Sequence, residues 1–233
     1  MFHVEQIGGF AQTLIEGSSQ FGVSLTALQI SQFIQYLREL RAWNKKINLT
    51  AITQEQDIAV KHFLDSLACN QALFGISPAS LLDIGTGAGF PGLPLKIIHP
   101  ELSLALLEPN QKKTAFLRHV IGTLNLESAV VIPKRIEDLV KELDCHNGFV
   151  HIVTRAVDAT QILPFISPLL TSGGQFILCR SKPLNPISNL FGLELAKEIS
   201  YTLPYGYGKR VLSILTPQLS AQKKTVPRGT AMN

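Results

Sequence analysis

Cysteine, tryptophan and methionine are scarce in this chain: three, one and two among 233 residues. Cys69, Cys145 and Cys179 are odd in number, widely spaced and outside any Cys-x-x-Cys pair or histidine-rich cluster, which argues against a disulfide framework and a zinc site. They are expected as reduced thiols in the core or at the surface, and no metal is expected. No run of about eighteen apolar residues occurs, which excludes a membrane-spanning helix, and Met1 to Phe10 lacks the basic-then-apolar order of a secretory leader. The expectation is a cytoplasmic, soluble protein with no membrane partner. Acidic charge is missing beyond Glu198: residues 199–233 carry a formal +5, whereas 1–198 carry −1, sixteen basic against seventeen acidic residues. Such a tail suits contact with nucleic acid, and it equally suits keeping the chain in solution.

What is present is enough apolar material, 45%, for one sizeable core at the upper end of single-domain length. Between Ser24 and Trp43 the apolar residues Ile30, Phe33, Ile34, Leu37 and Leu40 recur every three or four positions, the stripe of an amphipathic helix. Thr53, with Gln56 three residues on, reads as a capping box opening a second helix through about Cys69. No strand is expected before Ser80. From there short apolar runs alternate with helical stretches, as in βα units on a parallel sheet. Strands are predicted at Leu81–Ile84, Leu102–Leu107, Ala129–Ile132, Phe149–Val153 and Gln175–Cys179. Helices follow at Gln111–Leu124, around Glu137, and at Ala159–Leu170. Ile199–Leu203 and Arg210–Leu215 read as an antiparallel pair at one edge. The organisation is a helical region over 1–78, a Rossmann-like α/β domain with a seven-stranded, mostly parallel sheet over 79–216, and a disordered basic tail over 217–233.

Asp83-Ile84-Gly85-Thr86-Gly87-Ala88-Gly89-Phe90-Pro91-Gly92 follows a strand and opens a helix, where glycine lets the backbone turn tightly and approach a ligand. Gly87-x-Gly89-x-x-Gly92 also satisfies the dinucleotide pattern, so the glycines alone do not choose a cofactor. Counted from the first turn glycine, Gly85, the sixth position is Phe90, which disfavours a pyrophosphate cradle. Asp83 would repel a pyrophosphate and suits the ammonium or sulfonium of S-adenosylmethionine; its alternative role is to brace the loop. Glu108 ends the next strand, where its two oxygens suit ribose hydroxyls, unless it is a solvated strand-end glutamate.

Taken together, several segments resemble the glucose-inhibited division protein B family, also called ribosomal RNA small subunit methyltransferase G. They are Trp43-Asn44, Asn48-Leu49-Thr50, His62-Phe63-Leu64-Asp65-Ser66, the run from Asp83 through Leu93-Pro94, Arg135-Ile136-Glu137 and Arg155-Ala156. The resemblance covers roughly 41–180. It implies the class I methyltransferase fold, S-adenosylmethionine as cofactor, 16S ribosomal RNA in the small ribosomal subunit as partner, and N7-methylation of the guanosine at position 527 in the 530 loop; a monomer is the expected state. By position, the cofactor contacts would fall on Gly85, Phe90, Ile136, Glu137 and Arg155, beside Asp83, Gly87, Gly89 and Glu108. Arg180-Ser181-Lys182 departs from the family's Lys-Gly but keeps positive charge.

Guanine N7 carries a lone pair and no proton, so its methylation needs orientation and dryness rather than a general base. Arg155, at the end of the fourth strand, is the candidate catalytic residue, placed to hold the base O6, a phosphate or the cofactor. His62 and Asp65 share a helix face and read as a surface network. Lys112, Lys113, Arg118 and His119 share the helix after Glu108 and could meet phosphate. Trp43 reads as helix packing.

Overall fold

The structure is a computed structural model, and it describes residues 8–73, 79–142, 148–155, 157–184 and 190–218. Helix α1 is Gly9–Ser19 and α2 is Ala27–Asn44. Thr26 starts α2 with a reciprocal capping box: Gln29 N donates to Thr26 Oγ1 at 3.3 Å and Thr26 N donates to Gln29 Oε1 at 2.9 Å. The box expected at Thr53 and Gln56 does not form. The Gln56 amide oxygen instead accepts from Thr13 on α1 at 2.9 Å, and the next helix begins one residue late, with Gln54 at its N-cap and no side-chain bond. Tertiary packing has captured the residue that local spacing reserved for a cap. That helical stretch changes pitch along its length: α3 is Glu55–Ile58, a π-helical turn spans Ala59–Leu64, α4 is Asp65–Leu67, and a 3-10 turn follows at Ala68–Ala72.

The sheet follows, with β1 Ser80–Ile84, β2 Ser103–Leu107, β3 Ala129–Ile132, β4 Phe149–Arg155, β5 Leu170–Arg180, β6 Leu193–Thr202 and β7 Lys209–Pro217. The helices among them are α5 Gly92–Ile98, α6 Gln111–Thr123, α7 Ile136–Glu142 and α8 Ala159–Ile162. Strand order is β3-β2-β1-β4-β5-β7-β6; the first five run parallel and β7 pairs antiparallel with both β5 and β6. The seven strands and the antiparallel edge match the sequence reading. The helix expected over 159–170 is a correction: α8 is one turn, and Pro164 and Pro168 break the rest into two 3-10 turns. Pro217 closes β7 instead of opening a tail, and residues 219–233, where the disordered tail was expected, lie outside the described residues, as does Cys145.

Side chains alternate across each strand, so each strand feeds two cores. Leu81, Val153, Ile177 and Leu212 join Phe33, Tyr36, Phe63 and Phe116 in the larger core. Leu82, Ile84, Ile152, Phe176 and Leu178 join Ile136, Ile162 and Ile166 in the smaller one. The N-terminal helices therefore share the larger core with the sheet. The loop after β1 and the end of β4 both meet the helical segment, through Phe90 against His62 and Arg155 against Asp65.

Candidate active site

The loop after β1 holds Gly85, Gly87 and Gly89 at φ +67°, +60° and +94°, a region side chains rarely enter. Their surroundings differ. A Cβ on Gly89 would meet Leu93 at 2.4 Å and the Tyr36 hydroxyl at 2.5 Å, whereas one on Gly87 would meet nothing nearer than 3.9 Å. Gly89 thus lets Tyr36 reach in and bond the Ala88 carbonyl, while Gly87 faces open space. Beside Gly85 stands Val157, 2.6 Å from where a Cβ would be.

Asp83 is fully buried. Its Oδ2 accepts from Thr86 Oγ1 at 2.6 Å and from Gly92 N at 2.8 Å, so it does brace the loop. Its Oδ1 is buried without a hydrogen-bond partner, which is costly unless something else satisfies it. Burial pushes the Asp83 carboxyl up to about 6, against the bonds from Thr86 and Gly92 and the pull of Arg155. Glu108 is buried too, not solvated: Oε2 accepts from Gly87 N and Oε1 from Asn110 N, each at 3.0 Å. Each oxygen keeps a lone pair for another donor. The Glu108 amide bonds the Ile132 carbonyl at the end of β3, so the start of α7, with Ile136 and Glu137, lies on the same sheet edge. Ile136 is buried in the smaller core and Glu137 is half-buried.

Arg155, with its side chain 15% exposed, is gripped from above by the π-helical turn. π-helical turns of this kind are rare and often sit at functional sites. Arg155 Nη1 reaches the Lys61 and His62 carbonyls at 3.3 and 3.4 Å, Asp65 Oδ2 at 3.3 Å and Ser66 Oγ at 3.5 Å. Its guanidinium lies 5.4 Å from the Phe90 ring centroid. Phe90 is itself buried, stacked with Tyr36 at 5.3 Å and with His62 at 4.9 Å. His62 Nε2 is 2.8 Å from Thr50 Oγ1, and its Nδ1 is 3.5 Å from Arg155 Nη2. Because guanidinium only donates, these partners assign the proton to Nε2. Burial first, then the Arg155 and Lys61 charges, push the His62 imidazole down to about 3, so it stays neutral. Thr50 is placed by Asn44, whose Oδ1 accepts from Leu49 N and Thr50 N at 2.8 and 3.0 Å. Asp65, nine-tenths buried, also accepts from the Tyr201 hydroxyl at 2.7 Å through Oδ1.

The chain segments 43–50, 62–66, 83–94 and 155 thus converge on one place. Sequence reasoning reads His62 and Asp65 as a surface network; the fold makes both partners of Arg155, with Asp65 buried and His62 half-buried. It missed Tyr36 and Thr86, although Phe33, Tyr36, Leu37 and Leu40 share helical spacing and form the buried face of α2. His119 is not free for phosphate, since it bonds Glu39 at 2.7 Å and packs on Trp43. Trp43 packs on Phe116 as expected, and Lys112 and Arg118 are exposed. A cavity of about 590 Å³ opens at the ends of β4 and β5, bordered by Thr154, Val157, Asp158, Arg180 and Lys182. Its size is that of small-ligand sites. Among the described residues, no helix is long and apolar enough to cross a membrane.

A family model described as rRNA small subunit methyltransferase G matches residues 29–188. The ribosomal RNA small subunit methyltransferase G of Pelotomaculum thermopropionicum is 37% identical over 231 residues, which cover 94% of this chain and 97% of that one. Its counterpart in Roseiflexus castenholzii is 42% identical over 165 residues, 70% of each chain. Among solved structures, MtNAS in complex with MTA and tNA superimposes with a TM-score of 0.55 at 14% identity, over 89% of this chain and 85% of its own. TrmN from Thermus thermophilus gives 0.51 at 14% identity, over 68% and 53%. These likenesses carry the fold, a Rossmann-like α/β class I methyltransferase sheet, and nothing finer.

Proposed function

The chain belongs to the rRNA small subunit methyltransferase G family, an rRNA methyltransferase family, and from that premise we propose that it transfers the methyl group of S-adenosylmethionine to N7 of a guanosine in the 530 loop of 16S ribosomal RNA. The observation that carries the cofactor part is Asp83 Oδ1, a buried carboxylate oxygen without a partner in the loop that leaves Gly87 open. These residues fit a cationic adenosine donor: Asp83 compensates its positive charge, Gly87 lets it approach the backbone, and Glu108 offers its remaining lone pairs to ribose hydroxyls. Ile136 and Glu137 border the adenine end, and Gly85, Gly89 and Phe90 hold the loop in shape. When bound, the cofactor supplies an electrophilic methyl on a sulfonium.

The protein's task is then to orient and to dry the reacting base. Guanine N7 needs no deprotonation, which agrees with a site whose imidazole is neutral and engaged between Thr50 and Arg155. Arg155 is proposed to offer its remaining donors to the base O6, a phosphate or the cofactor. It is held for that by the Lys61 and His62 carbonyls and by Asp65. The cavity beside Val157 suits an extruded nucleotide, with Arg180 and Lys182 at its rim for phosphate. Assembled small subunits carrying unmethylated 16S RNA, with labelled donor, test the reading. Arg155→Ala is expected to abolish transfer while the protein stays folded, and full activity in that variant would remove Arg155 from the mechanism.

A further inference from the structure

Cys69 and Cys179 lie 110 positions apart in the chain, yet the fold sets their sulfurs 3.3 Å from one another. Cys69 is fully buried in the 3-10 turn, one helical turn past Asp65, whose carbonyl takes its thiol at 3.6 Å. Cys179 is half-exposed, stands opposite Arg155 in the β4–β5 register and borders the 590 Å³ cavity. The cluster is electrostatically common ground: Asp65 and Arg155 act on Cys69, and both thiols act on Tyr201. No step of the methyl transfer uses either sulfur.

We propose that Cys69 and Cys179 are an oxidation site for hydrogen peroxide, closing to a reversible disulfide that displaces Asp65 and Ser66 from Arg155 and slows methyl transfer. The Cys179 sulfur, as thiolate, attacks one peroxide oxygen; the O–O bond breaks, hydroxide leaves and takes a proton, and a sulfenic acid remains. The Cys69 sulfur then attacks Cys179 Sγ, the S–S bond forms, the S–O bond breaks, and the departing hydroxide takes the Cys69 proton. Two thiols lose two electrons and one peroxide becomes two waters. A disulfide bond is about 2.05 Å long, so the sulfurs must close by about 1.2 Å from 3.3 Å. β5 is pinned by ladders to β4 and β7 on both sides, whereas Cys69 rides on a short turn. The movement therefore falls on the turn and travels to Asp65 and Ser66, four and three residues before Cys69, which grip Arg155.

The test uses the full chain carrying Cys145→Ser, reduced and then exposed to hydrogen peroxide. Intact mass should fall by two hydrogens, peptide mapping should link 69 to 179, and hydrogen exchange should quicken over residues 61–66. Methyl transfer to small subunits should drop about tenfold, since misplacing an orienting group by about 1 Å costs up to about a hundredfold, and dithiothreitol should restore it. Adding Cys69→Ser, or Cys179→Ser should the first not fold, should abolish the mass loss. Both thiols still alkylatable after peroxide would overturn the proposal, as would a cross-link that leaves exchange and transfer unchanged. The mass and exchange readouts need no RNA, so they stand even if the untreated enzyme methylates something else.

Discussion

Asp83→Asn separates the two roles that one carboxylate plays here. The folded protein holds this carboxyl at about 6 against a usual 3.8, close to two units, so the ionised form costs the fold roughly 3 kcal/mol at neutral pH. Asparagine keeps an acceptor for Thr86 and Gly92 but puts an amide N–H₂ where Oδ1 has no partner, a loss of about 1–3 kcal/mol. The variant should therefore be between about equal in stability and about 2 kcal/mol more stable. A hydrogen bond to a charged group is worth about 1.5–3 kcal/mol, so its affinity for S-adenosylmethionine should fall roughly tenfold to a hundredfold. The sign with pH follows from a raised carboxyl: its contribution to stability is full below 3.8 and is lost as pH rises through about 6, so acidification from pH 7 should favour wild type over the variant. Cofactor affinity of wild type should fall over the same descent. Urea unfolding and calorimetric titration measure both. A variant destabilised by more than about 2 kcal/mol with unchanged affinity would mean that Asp83 only braces the loop.

His62→Phe keeps the ring against Phe90 but drops the links to Thr50 and Arg155; kcat should fall about tenfold with little change in the cofactor KM, as steady-state kinetics would reveal. The depressed His62 pKa works opposite to Asp83: its stability is present above about 6.5 and is lost as pH falls toward about 3, so His62→Phe should flatten the acid limb of a stability–pH curve. Gly89→Ala, blocked by Tyr36 and Leu93, should cost about 3 kcal/mol or more in denaturant melts. Gly87→Ala should cost only about 1–2 kcal/mol yet weaken cofactor binding, and equal affinity in the two variants would put the cofactor elsewhere. Tyr36→Phe loses the bond to the Ala88 carbonyl and should cost about 1–2 kcal/mol.

The parallel sheet was legible because β1 to β4 are short apolar runs, whereas only the apolar parts of β5 and β6 were legible, since Leu170–Gly174 and Leu193–Glu198 are largely polar or exposed; the glycine loop was legible because no other residue suits its backbone. Ala129–Ile132 and the start of α6 at Gln111 fall where periodicity predicts. Pro164 and Pro168 were visible breakers, and a helix carried through them was a misreading of local chemistry. The capping of α3 was decided by Thr13, forty-three positions away, which spacing cannot foresee. The same holds for the Arg155 clamp, whose partners at 61–66 sit about ninety positions upstream, and for the two thiols. Motif resemblance marked those segments as important; only the fold reveals that they meet, with Asn44 setting Thr50, Thr50 holding His62, and His62 flanking Arg155.

The proposed reaction leaves one methyl group on a single guanine nitrogen. Small subunits lacking 16S methylation, incubated with the purified enzyme and labelled S-adenosylmethionine, can be digested and mapped by mass spectrometry. One N7-methylguanosine within the 530 loop is the predicted product; label on another base or another nitrogen, or none at all, would contradict it.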